Sequence, residues 1–263
     1  MNDTLNHKVI VITGATGGIG QATARQCVKK GWTVVLIGRA EQTLVKLHRE
    51  IIKNNSESRS FLLDVTSQEK VLKTIKEILS HYGKGDAWIN NAGYGLFSSL
   101  EESDLHDYHG MMETNYFGTV YCTKGILPSL IKQGDGTIIN VASVGGLIPT
   151  AKSGGYAASK AATIQFTRCI RQEIRGTGVR VFSINPGPVE TPFFDYNMAS
   201  RQYRENIKSF MISPEKVALA IIKGIEKGNH DVILPWYMGI GSILYHLFPR
   251  FYEKVISPLA DKK

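Results

Sequence analysis

The chain has 263 residues, 43% of them hydrophobic and 21% charged, which suits a folded α/β protein and excludes a disordered, collagen-like or disulfide-scaffold chain. Lys plus Arg total 31 against 23 Asp plus Glu, a formal charge of +8, but the basic residues form no run of five or more, so a solvated basic surface is expected and no nucleic-acid face. Cys27, Cys122 and Cys169 lack metal-ligand spacing and lie in apolar helical patterns; they read as buried packing residues in a reducing compartment, with no metal site. The polar segment Met1 to Lys8 is no export signal, so a cytoplasmic protein is expected.

Taken in order, a first strand at Lys8–Ile12 runs into Thr13-Gly14-Ala15-Thr16-Gly17-Gly18-Ile19-Gly20 and a helix over 18–30. Glycines let the backbone approach a pyrophosphate, and the helix N-terminus supplies N–H groups and a positive dipole end. The turn does not match the common G-x-G-x-x-G pattern. The second strand, Thr33–Ile37, ends in Gly38-Arg39, where an acidic residue would accept from a ribose 2′-hydroxyl and favour NAD. A guanidinium at Arg39 would instead clamp a 2′-phosphate, so the expected cofactor is NADP(H).

Further strands follow at Ser60–Leu63, Ala87–Ile89, Thr137–Val141, Arg180–Ile184 and Asp231–Leu234, with helical patterns at 41–54, 67–82, 104–132, 155–175 and 214–227. The strands are apolar throughout instead of alternating, as parallel strands covered on both faces should be. Strand–helix alternation implies right-handed crossovers and a doubly wound Rossmann-type parallel sheet. No linker and no repeat interrupts 1–263, which reads as one catalytic domain.

Tyr156-Ala157-Ala158-Ser159-Lys160 opens a helix rich in small residues and puts Tyr156 and Lys160 on one face at i and i+4. A free tyrosine has a pKa of about 10, and a nearby ammonium lowers it toward useful proton transfer. Ser143 follows the Ile138–Val141 run, where its hydroxyl can hold a carbonyl oxygen; Asn115 sits mid-pattern in the 104–132 helix.

Together these motifs resemble the short-chain dehydrogenase/reductase family, in its compact single-domain branch, over roughly residues 8–192. Thr13-Gly14-x-x-x-Gly18-x-Gly20 resembles the family's cofactor turn, with Thr16 and Ile19 inside it. Asp64-Val65 is similar to the adenine-contacting pair, and Asn90-Asn91-Ala92-Gly93 to the motif after the fourth strand. Asn115, Ser143, Tyr156 and Lys160 match the catalytic tetrad, and Pro186-Gly187-x-Val189-x-Thr191 resembles the segment that fixes the nicotinamide carboxamide. The resemblance implies a seven-stranded parallel sheet of order 3-2-1-4-5-6-7 with helices on both faces. It also implies that Tyr156 is the proton donor, that Lys160 binds the nicotinamide ribose and depresses the Tyr156 pKa, that Ser143 polarises the carbonyl, and that Asn115 holds a relay water.

Two departures bear on the branch. The turn also reads Gly14-x-x-Gly17-x-x-Gly20, typical of sugar-nucleotide epimerases, but the length and the Asn-Asn-Ala-Gly motif argue against them. The chain runs about 30 residues past Leu234, further than acyl-carrier-protein 3-ketoacyl reductases usually do, which leaves that activity as an alternative. A non-catalytic NADP-binding sensor is the other, and it should have lost part of the tetrad.

Substrate residues should come from loops at the strand C-terminal ends and from a lid at 192–213: Tyr94, Leu96, Phe97, Leu147, Ile148, Pro149, Phe193 and Phe194, with Ser143. Tyr94, Leu147 and Phe193 are the leading candidates, about half of the set should be core packing, and a largely apolar small ketone, aldehyde or alcohol is expected. The extension, 235–263, is apolar, and Val232 to Pro249 carries no Asp, Glu, Lys or Arg. Interrupted by Gly239, Gly241, Ser242 and His246, it is expected to pack on the body or a partner subunit, ahead of peripheral membrane contact. Such tails occur in some Gram-positive bacterial members of the family. Pairing through the 104–132 and 155–175 helices, with Ala157, Ala158, Ala161 and Ala162 permitting close approach, implies a homodimer or homotetramer.

Overall fold

The computed structural model describes residues 8–195, 198–228 and 230–256. The seven apolar runs become β1 (Val9–Thr13), β2 (Thr33–Gly38), β3 (Arg59–Leu62), β4 (Ala87–Asn90), β5 (Gly136–Val141), β6 (Val179–Pro186) and β7 (Val232–Leu234). They form one parallel sheet in the order β3-β2-β1-β4-β5-β6-β7, as the resemblance implies. β1 lies between β2, with Val9 opposite Thr33, and β4, with Ile10 opposite Ala87. The winding reverses there, which opens a crevice at the strand C-termini.

The inner strands are covered on both faces, and this is why they read as unbroken apolar runs, whereas the edge strands β3 and β7 are only partly buried. Ile10, Ile12, Val34 and Leu36 pack on the buried sides of α1 (Gly18–Lys29), α2 (Glu41–Ile51) and α8 (Pro214–Lys227). Val9, Val11, Val35 and Ile37 face the other way, toward α3 (Gln68–Tyr82) and α5 (Gly118–Gln133). Burial of each such side chain contributes roughly 1.5–3 kcal/mol. Beneath the strand ends lies a polar ladder. Asn90 Nδ2 donates to Asn140 Oδ1 at 2.8 Å and to Thr123 Oγ1 at 3.0 Å, and Asn140 Nδ2 donates to Thr167 Oγ1 at 2.8 Å. Buried amides satisfied in this way pin β4 and β5 to α5 and to α6 (Gly154–Glu173).

Two expectations are corrected. The 104–132 pattern is not one α-helix: α4 (Leu105–Met112) passes into a π turn over Glu113–Phe117 before α5 begins. Gly118 N–H reaches back to the Glu113 carbonyl, five residues away, and the extra residue leaves almost no mark on a hydrophobic period. Cys27 and Cys122 are buried, but Cys169 is exposed on α6. After Pro235 the extension forms α9 (Trp236–Leu247), which seats Ser242 on the body and leaves Trp236, Ile243 and Leu247 at 73%, 60% and 65% exposure on the single chain.

The 192–213 stretch holds a single turn at Pro192–Phe194, α7 (Met198–Ile207) and a second turn at Lys208–Phe210. Among the described residues no helix is long and apolar enough to cross a membrane.

Candidate active site

The glycine turn sits between two walls. Gly14 adopts φ +61°, and a β-carbon there would lie 2.7 Å from Ala92 Cα, so glycine is required both by the conformation and by the approach of the β4 loop. On the far side Gly18 abuts the Thr191 side chain. Thr13, which sequence reasoning quoted without a role, braces the turn: its Oγ1 accepts from Asn91 N at 3.0 Å and Ala92 N at 3.1 Å. Asn91 Nδ2 donates to the carbonyls of Thr13 and Gly14 at 3.1 and 3.0 Å. No side chain caps α1 at Gly17 and no acidic residue occupies its first turn, so the dipole end is left for an anion. The uncapped N-terminus of α1, held against the β4 loop by the close approach at Gly14, fits a dinucleotide pyrophosphate.

Thr16 packs against Gly38, Ile19 lies in the first turn of α1, and Gly20 is buried against the turn itself. Arg39 lies just past β2, with its side chain 58% exposed and Nη1 3.4 Å from Asp64 Oδ2. Partial burial works against the Asp64 carboxylate. Donation from the Thr66 amide (3.0 Å) and hydroxyl (2.9 Å), with Arg39 nearby, nevertheless holds it below the usual range. The Val65 side chain is buried against Gly118.

The four tetrad positions come from three places: the end of β5 (Ser143), the π turn (Asn115) and α6 (Tyr156 and Lys160). Ser143, at the end of β5, donates to Pro186 O at 3.3 Å and accepts from Gly145 N at 3.1 Å. Asn115 lies in the π turn. Its Oδ1 accepts from Tyr94 N at 3.0 Å, and its Nδ2 donates to Tyr94 O and Ser159 Oγ, each at 2.9 Å. Its carbonyl accepts from the Thr119 and Thr163 hydroxyls at 2.9 and 3.1 Å. Both Asn115 Oδ1 and Lys160 Nζ crowd the space over Gly93, where a β-carbon would lie 2.9 and 3.2 Å from them.

Lys160 is 5% exposed; its Nζ donates to Val141 O at 2.9 Å and lies 5.9 Å from the Tyr156 ring centroid. Burial alone lowers its pKa from 10.5 to about 8. Ser159, four residues below Gly155 on α6, donates to Tyr156 O at 2.8 Å and so links Asn115 to Tyr156. Its signal was its place between Tyr156 and Lys160, where an Ala would serve a purely apolar helix face better.

Above Gly145, a single point lies 3.5 Å from both Ser143 Oγ and a Tyr156 ring carbon. Phe97 and Phe193 pack against that ring, with centroids 5.4 and 5.6 Å from it, and Phe97 meets Phe194 in a tilted contact. Phe97, Phe194, Leu96 and Ile148 are buried, whereas Phe193 and Leu147 are half-buried and Pro149 is exposed. Tyr94 reaches instead toward Gly110 of α4. Pro186 ends β6, Gly187 N donates to Leu234 O at 2.6 Å, and Val189 bridges to Ile212. This draws the Pro186–Thr191 segment across the crevice.

The family described as short chain dehydrogenase matches residues 8–202. The chain belongs to the short-chain dehydrogenase family. As such it is an oxidoreductase, and its relatives include an uncharacterised oxidoreductase of Staphylococcus saprophyticus, 36% identical over 228 residues, 86% of this chain and 94% of that one. A short-chain dehydrogenase/reductase from Burkholderia phymatum, solved in complex with NAD, superposes with a TM-score of 0.87 at 25% identity, over 95% of this chain and 96% of the other. An alcohol dehydrogenase from the archaeon Thermococcus sibiricus, complexed with 5-hydroxy-NADP, superposes with a TM-score of 0.77 at 29% identity, over 87% of this chain and 96% of that one. Solved short-chain dehydrogenases like this one thus hold either nucleotide.

Proposed function

We propose that this short-chain dehydrogenase interconverts a largely apolar small ketone or aldehyde and its alcohol, with NADP(H) as the cofactor. The observation that carries the reading is the convergence at Gly145 and Gly93: the Ser143 hydroxyl and the Tyr156 ring flank one point, with the buried Lys160 ammonium beside that ring. When bound, the dihydronicotinamide supplies the hydride for the carbonyl carbon. The turn at Gly14–Gly20 and the uncapped N-terminus of α1 would hold its pyrophosphate, and the Pro186–Thr191 segment would hold its carboxamide.

Ser143 Oγ exchanges its long bond to Pro186 O for one to the substrate carbonyl and orients it. Tyr156 Oη gives its proton to the carbonyl oxygen, and the Lys160 ammonium stabilises the phenolate that remains. Asn115 acts from below, holding the loop at Tyr94 and, through Ser159, the Tyr156 backbone; its Oδ1 and Lys160 Nζ both border the space over Gly93, where a relay water would sit. The ring cluster Phe97–Phe193–Phe194 excludes water and prefers an apolar substituent.

Arg39 supports NADP(H), because an exposed guanidinium in a long contact with Asp64 is available to turn onto a 2′-phosphate. Ala158 and Ala161 lie exposed along α6, which supports pairing of subunits through that helix.

The test is NADPH oxidation against a panel of apolar ketones and aldehydes, with Tyr156→Phe beside the wild type. The variant loses only the hydroxyl, so it should still bind NADPH while turnover falls roughly 10²–10⁴-fold. Turnover within a factor of a few of the wild type removes Tyr156 from the acid role.

A further inference from the structure

The outer face of α9 is built the wrong way round for a surface helix. Trp236, Tyr237, Ile240, Ile243, Leu244 and Leu247 recur at helical spacing on the exposed side, between 39% and 73% exposed. The small and polar residues face inward: Ser242 is buried, Gly241 lies against Ile148 and Gly239 against Ile233. A helix normally turns its apolar stripe to the core. Here the protein body takes the polar side, and an apolar strip about 18 Å long is left outside among the described residues. Phe248 and Phe251, 59% and 58% exposed, extend it.

We propose that α9 docks flat on an anionic lipid surface, its Trp236–Leu247 face at the headgroup–acyl boundary. Three features select this occupant over a second copy of the chain. Trp236 and Tyr237 at the edge of an aliphatic strip are the side chains that settle at a membrane interface. From Val232 to Tyr252 there is no Asp or Glu, and beyond the strip exposed Arg250 and Lys254 outnumber exposed Glu253, on a chain of charge +8. The helix is too short to span a bilayer but long enough to lie in its interface. The docking reading goes beyond the catalytic one and does not depend on it. It would bring the Ile148 loop and Gly187, which α9 covers through Gly241 and Met238, close to the lipid.

The chain carries its own reporter. Trp32 and Trp88 are buried at 2% and 1%, so a lipid-induced change in tryptophan emission reads Trp236. The full chain is mixed with vesicles of phosphatidylglycerol and phosphatidylcholine, and with phosphatidylcholine alone, and followed by co-sedimentation and emission. Binding to the anionic vesicles with a blue shift, weakened by salt, is expected. Neutralising Arg250→Gln with Lys254→Gln should lower vesicle affinity roughly 30-fold. Ile243→Glu with Leu247→Glu should abolish binding while leaving NADPH-dependent turnover in solution unchanged, since both side chains are exposed. Equal binding to neutral vesicles, or binding that survives the double Glu variant, overturns the proposal. So does unmoved Trp236 emission, whether or not sedimentation then shows a dimer that the double Glu variant loses.

Discussion

Lys160→Met tests the buried ammonium through stability, independently of turnover. Folded Lys160 has a pKa of about 8 against 10.5 for the free side chain, because burial disfavours its charge. Below pH 8 the lysine is protonated in both the folded and unfolded chain, and the folded state bears the whole desolvation cost, about 3 kcal/mol at about 1.4 kcal/mol per unit. Between pH 8 and 10.5 the unfolded chain binds more protons than the folded one, so stability rises with pH and the cost is relieved. At pH 9.5 roughly 1.4 kcal/mol of it remains. Met fills similar space without a charge, so titrations not coupled to Lys160 are shared between wild type and variant and cancel in their difference. Urea unfolding of both proteins at pH 7 and pH 9.5 should therefore show the wild type gaining about 2 kcal/mol on Lys160→Met over that interval. The variant should also lose turnover at both pH values, since the phenolate of Tyr156 has lost its partner. A stability difference that does not change with pH would show that the ammonium is not destabilised by burial, and would remove the reason for reading Lys160 as a strained functional group.

Gly14→Ala forces a side chain onto φ +61° and toward Ala92 Cα at 2.7 Å; it should cost about 1–3 kcal/mol of stability and abolish NADPH binding measured by fluorescence titration. Retained affinity would place the pyrophosphate elsewhere. Arg39→Ala should weaken NADPH roughly 10- to 150-fold, from about 1.5–3 kcal/mol for a charged hydrogen bond, and NADH much less. An unchanged ratio of kcat/KM for the two cofactors would show that Arg39 does not read the phosphate. Adding Gly38→Asp should push the preference further toward NADH, although its β-carbon must displace the Thr16 methyl 2.9 Å away, so a loss of affinity for both nucleotides would mark that crowding as dominant.

The sheet was legible because its signals are local. A parallel strand buried on both faces must be apolar at every position, and the stretch between two such strands must be a helix with one apolar stripe. Val9–Thr13 and Thr33–Gly38 follow from that alone. The glycine turn and the Tyr156–Lys160 spacing were legible for a similar reason, since each depends on residues within one turn of one another. What depends on long-range packing was not. One inserted residue in the Glu113–Phe117 turn shifts the helix register too little to show in a hydrophobic period, yet it places the Asn115 side chain between Tyr94 and Ser159. Thr13 braces Asn91 and Ala92 from 78 and 79 positions away, and no spacing rule spans that distance. Lys160 is an ordinary helix lysine until Val141, Gly93 and the π turn at Asn115 close around it and take it out of water. Cys169 made the opposite error, and the outer side of α9 was not legible, because apolarity in a sequence states only what a side chain would favour. Which face of a helix meets the body is decided by the neighbours it meets, and for α9 the small residues Gly239, Gly241 and Ser242 allow the closest approach, so they took the inside and left Trp236, Ile243 and Leu247 facing out.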